Sequence, residues 1–323
     1  MRAEHFDFLD WTASPNFKVI DPDSLASRNS LAKSWAEKTP DEISLAVSYM
    51  TLNEHRGFIS ELLARLDVSI EGVGAELGAG ASVLSNSLCK IFPKIKKIYA
   101  VELVPEMAIL LQPKIIKANQ NVGRVLPVVG SFDELKLLKS SLDFVVAFDS
   151  LHHSNDMKKT LVEANRVLRS GGTLIAFDRA QPNNLSEAQR EFMLNVEYSE
   201  EFKLIHNLPV NIKFTRRENG EHEPRLNEWV KNFKDAGFAI TSMTAFTKKN
   251  KTQFGRMVAA LVPFRLRLLL GRYQSLVAHP KIMLYYLFPL VGVVGRLKIR
   301  SFDSNFSNKS APGGKFVIVA KKL

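Results

Sequence analysis

The chain reads as an α/β protein, doubly wound about a mainly parallel seven-stranded sheet, with a helical N-terminal cap and helical insertions. Three observations predict this. From Gly72 onward, short apolar runs of strand length alternate with helical stretches, the pattern of parallel strands joined by crossover helices. The first run ends in the glycine-rich turn Gly78-Ala79-Gly80, and the last follows the turn signal Pro312-Gly313-Gly314.

Residues 1–40 carry scattered aromatics (Phe6, Phe8, Trp11, Phe17, Trp35) broken by Pro15, Pro22 and Pro40, which predicts an irregular cap with short helices. From Asp41 to Leu66 apolar residues recur at helical spacing (Ile43, Val47, Met50; Phe58, Leu62, Leu63, Leu66), so residues 1–70 form the cap and 71–323 one larger domain. Strands are expected at Val73–Leu77, Ile98–Leu103, Val125–Val129, Phe144–Phe148 and Thr173–Phe177, with a helix after each of the first four. A long crossover, 179–236, leads to strands at Phe238–Phe246 and Lys315–Ala320, and residues 248–311 interrupt that closing hairpin.

Composition narrows the class. With 46% hydrophobic and 24% charged residues, the 323-residue chain can bury a full core. A lone cysteine, Cys89, rules out an intramolecular disulfide and any multi-cysteine metal site. The start MRAEHFDFLDW places acids where a signal peptide is apolar, so a cytoplasmic protein is expected.

The net charge of +11 is local. Between Lys248 and Arg300 stand eleven Lys and Arg and no Asp or Glu, and the rest of the chain is balanced. Two apolar runs there, 261–270 and 282–295, fall short of the roughly 18 to 20 residues that span a bilayer. Basic and apolar residues so interleaved suit peripheral docking on an anionic membrane surface, at the inner membrane face. A helical lid over the active site is the competing expectation, and nucleic acid is the least favoured partner.

The chemistry concentrates at strand ends. In AELGAGAS, Ala75 to Ser82, the glycines let the backbone turn tightly and approach a ligand. The third glycine of the dinucleotide fingerprint is missing. Glu102, about twenty residues on, ends the next strand, where a carboxylate accepts both ribose hydroxyls of a nucleoside. Glu76, just ahead of the glycines, opposes a pyrophosphate and suits the cationic amino acid moiety of S-adenosyl-L-methionine.

From Gly72 to Asp178 the chain resembles the class I, Rossmann-like S-adenosylmethionine-dependent methyltransferases. ELGAGAS, VELVPEM, VVGSFDEL, LDFVVAFDSLHH and VLRSGGTLIAFD follow the order of that family's motifs. The resemblance implies S-adenosyl-L-methionine as cofactor, bound by Glu76, Gly78, Ala79, Gly80, Glu102, Leu103, Ser131, Phe132 and Asp149, with no metal. The third motif departs from the usual Gly-Asp: Gly130-Ser131-Phe132 leaves the adenine hydrogen bond to Ser131, to backbone or to Asp133, while Phe132 offers apolar surface. His153, beyond the fourth strand, is the candidate general base, with His152 as its alternate.

No Asn-Pro-Pro-Tyr motif follows the fourth strand and no Pro-Cys occurs, which counts against adenine amino and pyrimidine C5 methylation. The expected acceptor is an oxygen or nitrogen of a small molecule, a glycan or a lipid-linked compound. Arg179 and His222, the latter in the polar stretch 214–223, are candidates to orient it. An RNA methyltransferase, a nicotinamide-dependent oxidoreductase and a non-catalytic nucleotide-binding module are the alternatives.

Overall fold

A computed structural model of the chain describes residues 7–12, 63, 66–205, 208–245 and 314–323. Most of the cap expected over 1–70, and the whole 248–311 insertion, lie outside the described residues.

The strands are β1 (Leu9–Asp10), β2 (Gly72–Leu77), β3 (Ile95–Glu102), β4 (Val125–Val129), β5 (Leu142–Phe148), β6 (Leu168–Ala180), β7 (Phe238–Ala245) and β8 (Gly314–Lys322). They form one sheet in the order β1-β4-β3-β2-β5-β6-β8-β7. Pairing is parallel from β1 through β6, and β8 runs antiparallel to both β6 and β7. The expected seven strands are all present. The eighth is the two-residue β1, which joins the β4 edge and carries Trp11 in, its N–H donating to Val129 O at 2.8 Å.

Strand order reverses between β2 and β5, the switch point at which a crevice opens beyond the C-terminal strand ends. Helices α1 (Val83–Ile91), α2 (Gln112–Ala118, entered through a π-helical turn, Met107–Leu111) and α3 (Met157–Val167) fill the early crossovers. The long crossover holds α4 (Glu187–Leu194), α5 (Glu200–Ile205) and α6 (Leu226–Asp235).

Both sheet faces are covered, so the central strands read as nearly unbroken apolar runs. Along β5, Val145 and Ala147 enter one core with Trp229, Phe233 and Phe316, whereas Phe144 and Val146 enter the other with Leu84, Leu88 and Ile98.

One expected helix is absent. Residues 130–141, after β4, form an irregular loop. Side chains of α3 hold its backbone instead: Glu163 Oε1 accepts from Leu135 N–H at 2.7 Å, and Arg166 donates to the carbonyls of Leu135 and Leu137 at 2.8 and 2.9 Å. With those groups taken, and Leu135 buried in the core, the local helical ladder has no advantage.

Candidate active site

The turn after β2 has a backbone that demands glycine. Gly78 and Gly80 sit at φ of 70° and 51°, the left-handed region that costs side-chain-bearing residues. A Cβ on Gly78 would lie 2.6 Å from Ser150 Cβ. Ser150, at the end of β5, is itself fixed by donating from Oγ to Leu77 O at 2.7 Å. Ala79 N–H donates to Val101 O at 2.8 Å, which ties the turn to β3.

Glu102 locks the same turn. Its Oε2 accepts from Gly80 N–H at 2.7 Å and its Oε1 from Val104 N–H at 3.0 Å. A carboxylate offers about four lone-pair sites, so these contacts orient it and leave capacity for a ribose diol. Leu103 follows it, half-buried. Gln112, at the start of α2, donates from Nε2 to Gly80 O at 2.8 Å. Nothing in the motif pattern had marked this residue.

Glu76 is buried and accepts from both the N–H and the hydroxyl of Ser85 on α1. Burial pushes its carboxyl up to about 8, with the Ser85 hydrogen bonds opposing and Glu102 adding a smaller upward push. A cation brought beside it would favour the ionised form.

The third-motif loop reaches this turn through Phe132, whose ring edge lies beside Gly78. Ser131 Oγ accepts from Asp133 N–H at 3.1 Å. Asp133 itself is held by the Thr160 hydroxyl, and burial raises its pKa, so of the options for an adenine partner Asp133 is already engaged by α3. Asp149 takes φ of 51° just after β5, with its side chain exposed and 3.7 Å from Lys315 Nζ. The structure thus gathers Glu76, Gly78, Ala79, Gly80, Glu102 and Phe132 around one turn, while Asp149 stands at the neighbouring strand end.

The two histidines differ in kind. His152 is buried, its Nδ1 2.6 Å from Asp178 Oδ1 and its Nε2 2.7 Å from Arg179 Nη2. Because arginine only donates, Nε2 must hold the lone pair and Nδ1 the proton. Asp178 also receives the N–H groups of Ser150, Leu151 and His152 at 3.3, 3.0 and 3.4 Å, capping the short 3-10 turn Leu151–His153. His153 is half-buried, with Nδ1 2.9 Å from Gly220 O. A carbonyl only accepts, so here too the proton sits on Nδ1 and Nε2 is the basic nitrogen.

Asp178 and Glu221 are the site residues that sequence reasoning passed over. A single signal pointed to Asp178, an acid closing the apolar run LIAF. Arg179 pairs with Glu221 at 2.5 Å, and Arg216 bonds Glu223. His222 lies in the same loop, its pKa lowered by burial.

Fold and strand order define a Rossmann-like α/β protein with a glycine turn and two buried acids at the switch point. Residues 75–176 match the family described as "Methyltransferase domain". Sarcosine/dimethylglycine N-methyltransferase of Aphanothece halophytica is 40% identical over 65 residues, 20% of this chain and 24% of that protein. Malonyl-[acyl-carrier protein] O-methyltransferase of Nitrosospira multiformis is 36% identical over 81 residues, 25% of this chain and 26% of that protein. The alignments therefore span about a quarter of these relatives' length. A chain of the complex between the Haloferax volcanii Trm112 methyltransferase activator and a methyltransferase superposes with a TM-score of 0.52 at 16% identity, covering 94% of this chain and 99% of that one. That likeness is one of fold. No helix among the described residues is long and apolar enough to cross a membrane.

Proposed function

We propose that the protein is an S-adenosyl-L-methionine-dependent methyltransferase that passes a methyl group to an oxygen or nitrogen of a small-molecule, glycan or lipid-linked acceptor. The observation that carries this is the Gly78–Gly80 turn clasped by Glu102 at the switch point, with Glu76 buried beside it. A second buried acid near the turn disfavours a pyrophosphate and favours the ammonium of a methionyl group. Phe132 supplies apolar surface for the adenine, and Ser131 or nearby backbone its hydrogen bond. Asp149 and Leu103 complete the proposed cofactor contacts.

Methyl transfer from a sulfonium is an in-line substitution with a good leaving group, so holding acceptor and methyl in line does most of the work. His153 is proposed to take the acceptor's proton on Nε2, because Gly220 O fixes the tautomer and the ring is not fully enclosed. Arg179, held by Glu221, is proposed to orient a polar acceptor. One relative is named for nitrogen and the other for oxygen methylation, so both acceptor atoms stay in the proposal. The acid-free basic stretch 248–300 is proposed to meet an anionic membrane surface.

Isothermal titration tests the cofactor directly: S-adenosyl-L-methionine should bind and NAD should not. Glu102→Ala should weaken binding about tenfold or more, through loss of charge-assisted hydrogen bonds of about 1.5 to 3 kcal/mol each. A folded Glu102→Ala protein with unchanged affinity would overturn the assignment.

A further inference from the structure

The turn Leu151–His153, the end of β6 and the loop before α6 meet in a polar cluster for which cofactor binding has no use. We propose that His152, His153 and Glu221 in this cluster bind a divalent transition-metal ion of the zinc or cobalt(II) kind. One donor atom from each of the three lies within 4.8 Å of those of the other two, and His152 Nε2 and Glu221 Oε2 are 3.7 Å apart. A tetrahedral ion with bonds of about 2.1 Å spaces its donors about 3.4 Å apart. A small contraction therefore closes the site.

The surroundings match what metal-bound histidines require. Such an imidazole usually gives its other N–H to a carboxylate or a backbone carbonyl, which fixes the tautomer and turns the second nitrogen toward the ion. Here Asp178 Oδ1 takes the Nδ1 proton of His152 at 2.6 Å, and Gly220 O takes that of His153 at 2.9 Å. In both rings the lone pair is thus on Nε2. Two imidazoles and one carboxylate form a donor set for zinc, cobalt(II) or iron(II) rather than for calcium or magnesium.

The cluster already takes a cation between two of these donors. Arg179 Nη2 lies 2.7 Å from His152 Nε2 and 2.5 Å from Glu221 Oε2. The Arg179 side chain is 33% exposed while Glu221 is 5% exposed, so the guanidinium can withdraw to solvent and the carboxylate cannot. Arg179 and the ion are competitors for one position. Arg216 Nη2 stands 3.7 Å from the same Glu221 oxygen, and Tyr198 donates to Oε1 at 3.4 Å, which holds the carboxylate in place. In the same loop, His222 Nε2 is buried with no hydrogen-bond partner among the described residues.

Whether an ion binds can be measured without the methyl-transfer reading, although the two share His153 and Arg179. If that reading holds, a bound ion would lower the pKa of an acceptor hydroxyl, whose proton would pass to solvent, because His153 as a ligand could no longer take it.

The test uses the full chain, stripped with chelator, titrated calorimetrically with zinc chloride and followed by visible absorption with cobalt(II). One saturable ion per chain is expected, with His152→Ala and Glu221→Ala each weakening it roughly tenfold or more. Arg179→Ala, which keeps every donor and removes the competing cation, should tighten binding. The proposal is overturned if neither the wild type nor Arg179→Ala saturates, or if affinity is indifferent to His152→Ala and Glu221→Ala. Should those two variants fail to fold, unchanged or weaker binding by Arg179→Ala is enough to overturn it. S-adenosyl-L-methionine titrated into the same preparations reads the methyltransferase assignment separately, since its pocket contains none of these side chains.

Discussion

Glu76 shows what one buried acid does at the residue scale. Its carboxyl is held protonated up to about pH 8, against 4.5 for a free glutamate. Between those values the folded chain keeps a proton that the unfolded chain has shed, so the cofactor-free protein loses stability as pH rises through that window. Thermal melts from pH 5 to 8 should show this decline, and Glu76→Gln should flatten it; equal slopes would mean the acid is ionised in the fold. At the end of β5, on the other side of the glycine turn, the proposed base role makes His153→Ala cut turnover about a hundredfold while cofactor affinity stays intact. Wild-type turnover in that variant would return His153 to a structural role. Glu76, Glu102 and the glycines were legible in the sequence because each sits within a few residues of a strand end. The partner of His152 was not, since Asp178 lies 26 residues away and Gly220 lies 67 residues from His153. Only the parallel sheet and the long crossover bring them together.

At the scale of elements, periodicity foretold the strands because both faces of the sheet are buried and demand apolar residues. It was silent on length: β6 runs from Leu168, which pairs with Leu142 of β5, to Ala180, which pairs with Gly314 of β8, and both are long-range effects. It also misplaced a helix in 130–141, where Glu163 and Arg166 of α3 satisfy the backbone. The turn joining β2 to α1 is the element whose geometry is most exacting. Gly78→Ala would meet a left-handed φ of 70° and a Ser150 Cβ at 2.6 Å, which together should cost about 2 kcal/mol or more. Denaturant unfolding measures it. Adding Ser150→Gly should recover only part of the loss, because the backbone strain remains while the clash is gone; a Gly78→Ala protein as stable as wild type would show that the turn relaxes freely.

For the whole molecule, the charge distribution divides the chain more sharply than the fold does. The segment 75–176 that matches the methyltransferase-domain family contains the Gly78–Gly80 turn and the strand-end histidines, and the acid-free basic stretch of the chain lies outside it. The stretch Lys248 to Arg300 holds eleven cationic residues, no acid, and two apolar runs too short to span a bilayer. On an anionic surface each Lys or Arg close to the lipid contributes about 1 kcal/mol, and the contribution fades as salt screens it. Co-sedimentation with vesicles should therefore rise with anionic lipid content and fall with added salt. Replacing Arg265, Arg267 and Arg272 with Gln should weaken it while S-adenosyl-L-methionine affinity holds, because none of the three belongs to the cofactor turn. A protein that ignores anionic vesicles at low salt would instead assign this stretch to the acceptor, and its deletion should then abolish turnover with cofactor binding preserved.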